Sequence, residues 1–158
     1  MATVEVTFTP LPAHVRTARL VATAVARRSG VDESLLDDVR LAVGEACSRA
    51  VEAHRRHCPA EPVRIEMTDQ DQRFVVTVSD HAPTARPVVA ATENGIHDGA
   101  GHDGEDGIGY EAIGHDGGSA IPAGFGLAVI SGLAEDVRVL STSSGVSVRM
   151  SWPSTAAS

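Results

Sequence analysis

The feature that most constrains this chain is a gap in its pattern. Over 84–121 the apolar periodicity that marks helices and strands disappears, and nine of the 15 glycines fall between positions 95 and 118. Ordering such a segment costs about 1 to 2 kcal/mol per residue, with few buried side chains to offset it. The core must come from the two flanks. The reading is one domain spanning 1–158, with 84–121 as a flexible, acidic lid inserted into it.

The flanks are strongly patterned. Val4, Val6 and Phe8 alternate with polar residues until Pro10 and Pro12, which predicts a strand. Apolar residues at Val15, Ala18, Leu20, Val21, Ala22 and Val25 predict a helix over 13–28, stopped by Ser29-Gly30. Asp32 then caps a second helix running to about His57, with Leu35, Val39, Ala42, Val43, Ala46 and Ala50 on one stripe. Val63, Ile65, Met67 and then Phe74, Val76, Val78 alternate around a turn at Asp69-Gln70-Asp71, which predicts a hairpin. Beyond the gap, Gly124-Phe125-Gly126 opens a short helix through Leu133, followed by two strands, 137–140 and Val146 to Trp152. The order implies an α/β fold of the two-layer α+β sandwich kind: helices on one face of a mixed, mostly antiparallel sheet.

Charge and composition exclude several functions. All 13 basic residues are Arg, so mechanisms needing a lysine amine, such as a P-loop or a Schiff base, are excluded. Seven of the 21 acids lie between positions 93 and 116, where there is no Arg, and the remainder is nearly neutral. No basic face for a phosphate backbone is expected, which argues against direct nucleic-acid binding. The sequence has no apolar run long enough for a membrane span and no signal-peptide pattern, so a cytoplasmic protein is expected. Cys47 and Cys58 fit no metal spacing and read as reduced packing residues. His-Asp-Gly recurs at His97, His102 and His115; its irregular spacing favours an acidic loop over a specific metal site.

Three motifs occur in a telling order: Leu41-Ala42-Val43-Gly44-Glu45-Ala46-Cys47-Ser48-Arg49-Ala50-Val51, then Val78-Ser79-Asp80-His81-Ala82-Pro83, then Gly124-Phe125-Gly126-Leu127. They resemble the N, G1 and G2 boxes of the GHKL (Bergerat-fold) ATP-binding domains. Specifically, they are similar to the anti-sigma-factor serine kinases of bacterial partner-switching systems. The resemblance implies ATP and Mg²⁺ as cofactors, with a sigma factor and an antagonist of the STAS fold as partners. It also makes a homodimer an expectation. In that family the domain binds the sigma factor and uses ATP to phosphorylate a serine of the antagonist.

Each box also has a reading of its own. Asp80 at a strand end can accept the adenine amine, or simply cap a turn. Gly124 and Gly126, with Leu127, let a backbone approach phosphates at a helix N-terminus, or form a plain turn. Glu45 is a candidate base for a serine hydroxyl, or solvated surface. Three positions depart from the family, one of them Val146, which stands where a Thr is common before the last strand. Arg49 stands where the family has an Mg²⁺-holding Asn; it either pairs with Glu45 one turn away or contacts phosphate directly. Ala82 replaces the glycine of G1, and if that position needs positive φ the methyl costs about 1 to 2 kcal/mol. The expected function is therefore an anti-sigma factor with weak or absent kinase activity, the alternative being an active Mg-ATP-dependent serine/threonine kinase.

Overall fold

The computed structural model describes residues 2–83 and 123–155. The expected lid and its His-Asp-Gly triplets lie outside the described residues. The elements run β1 (Ala2–Phe8), α1 (Pro12–Arg28), a 3₁₀ turn (Glu33–Leu35), α2 (Leu36–His57), β2 (Val63–Gln70), β3 (Arg73–Ser79), α3 (Ala123–Leu133), β4 (Asp136–Thr142) and β5 (Gly145–Pro153). The strands form one sheet in the order β1-β2-β3-β5-β4. Every pairing is antiparallel, so the sheet is not mixed among the described residues.

Alternation fixes the register. Val6, Ile65, Val78, Val148 and Val139 form one row across the strands, and Val4, Met67, Val76, Met150 and Val137 form another. A one-residue slip would turn both rows to water. The two largest fully buried side chains are rings: Phe74 and Trp152 pair across β3 and β5 at 6.3 Å between ring centroids. The indole N–H of Trp152 donates to the carbonyl of Leu133 (2.9 Å), tying β5 to the end of α3.

The helices cover this face with small side chains. In α1 the buried residues are Val15, Ala18, Ala22 and Ala26; in α2 they include Val39, Ala42, Val43, Ala46, Cys47, Ala50 and His54. Such alanine-rich stripes let α1 and α2 approach closely, and α2 also packs against α3, β2 and β3. Pro12 occupies the first turn of α1, where its missing N–H leaves nothing unsatisfied. Gly30, at φ +83°, follows that helix; a Cβ there would run into Thr155, whose backbone N–H and side chain both bond the Gly30 carbonyl (3.0 and 3.1 Å). Asp32 caps the 3₁₀ turn rather than α2 itself, accepting from the N–H of Ser34 at 2.9 Å. The β2–β3 hairpin turns through Asp71 and Gln72, both at positive φ, which is the two-residue turn whose twist matches its strands. No helix among the described residues is long and apolar enough to cross a membrane.

Candidate functional site

The site builds around the end of β3. Once the strand leaves the sheet at Ser79, the next backbone groups need partners, and β5 supplies them. The Asp80 N–H donates to the Val146 carbonyl (2.9 Å), and the Val146 N–H donates back to Asp80 Oδ1 (3.3 Å). Gly145, at φ +149°, makes this possible, because a Cβ there would fall on the Asp80 carbonyl. The Ala82 N–H also donates to Asp80 Oδ1 (3.1 Å), closing a short side-chain turn. Ala82 is buried and its φ is not positive, so the strain expected from its methyl does not arise.

The other carboxylate oxygen is taken by α2. Arg49 donates from Nη1 to Asp80 Oδ2 at 2.9 Å, with the Asp80 side chain 1% exposed and that of Arg49 16%. Arg49 therefore turns toward the sheet, not toward Glu45, and no Arg49–Glu45 ion pair forms among the described residues. The reason is energetic. A helix-surface pair with Glu45 contributes a few tenths of a kcal/mol, whereas leaving the Asp80 carboxylate buried without a cation would cost several.

A second residue from α2 supports the same corner. His54 is completely buried, its Nε2 accepts the N–H of His81 (2.8 Å), and its Nδ1 lies 2.8 Å from the Glu61 carbonyl. Since Nε2 accepts, Nδ1 must carry the proton and donate, which fixes one neutral tautomer. His54 thus holds both the strand end and the loop after α2. It was missed in the sequence, although its spacing, four residues after Ala50, continues the buried stripe. Beside it the Cys58 thiol is pushed above its ordinary value by lost hydration and by the nearby carboxylates of Glu61 and Asp80.

Glu45 is half-buried on α2, one turn before Arg49. Gly124, Gly126 and Leu127 lie in the first turns of α3, which packs against α2, so the three motifs belong to adjoining elements. A mononucleotide of the kind the G1 box implies would need an open Asp80 carboxylate for its base. Here both oxygens are engaged and shielded from solvent, so a base amine could reach Asp80 only by displacing Arg49. A guanidinium also cannot ligate Mg²⁺. As arranged, these residues do not fit Mg-ATP.

A different environment flanks α1. The Arg19 guanidinium lies over Gly44 of α2, and a Cβ at Gly44 would collide with it. Its Nε is buried without a hydrogen-bond partner. Depressions on either side are lined by Arg16, Arg40, Arg55, Ser48 and Glu52. Cys47, beside them, is held protonated: burial pushes its pKa to about 12, with the Arg19 charge pulling the other way.

Comparisons with known proteins agree with this architecture. Among solved structures, the chain is similar to the RsbU and RsbW domains of Rv1364c from Mycobacterium tuberculosis, with a TM-score of 0.63 and 14% identity. The match covers 99% of this chain and 33% of that one, so the chain spans about a third of its length. No curated protein sequence matches. The family described as the histidine kinase-like ATPase domain matches residues 8–152, nearly the whole chain. The chain belongs to the histidine kinase-like ATPase domain family.

Proposed function

We propose that this chain is an anti-sigma factor of partner-switching type, which sequesters a sigma factor and is released by a STAS-type antagonist, with phosphoryl transfer weak or absent. The regulatory half of the reading rests on the three motifs in order and on the fold shared with an RsbW domain. The observation that carries the rest is the Arg49–Asp80 pair. It places a fixed positive charge where the family holds a metal ligand, and it closes the carboxylate that would select adenine. Protein binding depends on the outer surfaces of helices and sheet and survives such a change.

The test compares the unmodified chain with Arg49→Asn. With Mg-ATP at millimolar concentration, the unmodified chain is expected to show little thermal stabilisation, since a ligand at its Kd adds only about 0.4 kcal/mol. Arg49→Asn opens Asp80 and restores a side-chain carbonyl that can hold Mg²⁺, so it is expected to gain metal-dependent nucleotide affinity. Sigma-factor binding by the unmodified chain, without added nucleotide, is the positive result. Robust Mg-dependent phosphorylation of a cognate antagonist by the unmodified chain would overturn the reading and make Glu45 the candidate base of a working kinase.

A further inference from the structure

The groove between α1 and α2 carries arginines that the fold does not use. Arg16, Arg19 and Leu20 lie three and four residues apart, which sets them on one face of α1, and Arg40 and Leu41 adjoin them from α2. These five line a depression of about 450 Å³, within the usual range for small ligands. Among the described residues no carboxylate lines it. A second depression, of about 260 Å³, shares Arg16 and Arg19 and adds Arg55 and Ser48.

The charges in this groove are largely unmatched. Arg16, Arg19 and Arg55 make no ion pair among the described residues. Arg40 holds the exposed Asp37 at 3.1 Å, and Glu52, on the wall of the second depression, is taken by Arg56 at 3.1 Å. Like charges three residues apart destabilise a helix surface, so Arg16 beside Arg19 is a cost that the fold alone does not offset. Gly44 fixes the second of them. The Arg19 guanidinium lies where a Cβ of residue 44 would be, with Nε buried and unpartnered, which leaves the two Nη groups as the donors through which it can bind a ligand.

The geometry points to a binding site for a phosphorylated small molecule, with its phosphates among Arg16, Arg19 and Arg40 and its apolar part over the exposed Leu20 and Leu41. Three guanidinium groups around one depression match a ligand that concentrates several negative charges on neighbouring oxygens, as a diphosphate ester does. A side-chain carboxylate brings a single charge, and an acidic peptide spreads such charges along its length. Guanidinium forks also match phosphate oxygens two at a time, with no metal ion required. None of the lining residues is among those that close the Asp80 corner, so this site is separate from the one the three motifs mark. It also stands apart from the sigma-factor reading: each can fail while the other holds.

The experiment titrates the full chain calorimetrically in EDTA with inorganic pyrophosphate and with ADP, and maps each probe by amide NMR. Both are expected to bind at low salt with a Kd below about 1 mM and to weaken as salt is added. ADP is expected to bind about threefold or more tighter than pyrophosphate, an advantage that Leu20→Ser removes. Arg16→Ala and Arg40→Ala replace exposed side chains and leave the fold intact; each is expected to weaken both probes about tenfold. The NMR changes should centre on α1 and the first half of α2. Binding weaker than about 1 mM for both probes would overturn the proposal. So would equal affinity for the two, unchanged affinity in both arginine variants, or NMR changes centred on Asp80. An unphosphorylated aspartate-rich peptide that binds as tightly as ADP would also overturn it, by making the groove a docking surface for an acidic protein.

Discussion

Two arginines of the helical layer meet opposite fates. Arg49 projects from α2 onto a buried carboxylate that also accepts two backbone N–H groups, and that corner is closed further by His54. Arg19 projects from α1 onto a glycine, with its Nε unpartnered and more arginines around it. The difference teaches where this chain holds its charge fixed. At the β3 corner the positive charge is neutralised inside the fold and acts as structure. Along the α1–α2 groove it is held over Gly44 with a buried Nε left without a hydrogen-bond partner.

The contrast can be broken from the Arg49 side first. Arg49→Ala leaves the Asp80 carboxylate buried without its cation and is expected to cost about 3 to 5 kcal/mol in denaturant unfolding. Asp80→Ala should cost a similar amount, and the double variant much less than the sum of the two, as a double-mutant cycle will show. Near-additive losses would mean the two side chains do not act as a pair. His54→Ala is next in size. It orphans the His81 N–H and the Glu61 carbonyl and removes a buried ring, for an expected loss of about 2 to 4 kcal/mol.

Effects on the Arg19 side should be smaller. Burial raises Cys47 from 9.0 to about 12, so the folded state keeps a proton that the unfolded chain gives up sooner. The unfolded state therefore binds fewer protons in this window, and stability is expected to fall as pH rises from 9.0 toward about 12. Cys47→Ala should flatten that part of the stability curve; an unchanged slope would assign it to other groups. The smallest expected effect is that of Gly44→Ala. The new methyl pushes the Arg19 guanidinium outward, where water can satisfy Nε, while alanine favours the helix by up to about 1 kcal/mol. Net stabilisation of under about 1 kcal/mol is expected. A loss beyond about 2 kcal/mol would show instead that Arg19 is held as firmly as Arg49.

Much of this was legible in the sequence. Alternation at Val4, Val6 and Phe8, at Ile65 and Met67, and at Val146 to Trp152 named the strands and their buried faces, because side chains on a strand can only alternate. The i, i+3, i+4 stripe of α2 and the stop at Gly30 were equally local, and so was the order of motifs that gave the family. Helix ends were less well placed, since the Asp32 cap serves a 3₁₀ turn that the stripe does not distinguish from the helix.

What the sequence could not decide was which group each charged or polar side chain would find. Arg49 has Glu45 four residues away and Asp80 thirty-one residues away, and spacing along a helix favours the first. Only the folded sheet, by carrying β3 beneath α2 and stripping water from Asp80, makes the distant partner the stronger one. The same holds for His54 and the His81 N–H, which lie twenty-seven residues apart in the chain. Periodicity is a property of neighbours along the chain and can be read there; electrostatic pairing depends on burial and distance in space, which the tertiary structure alone sets.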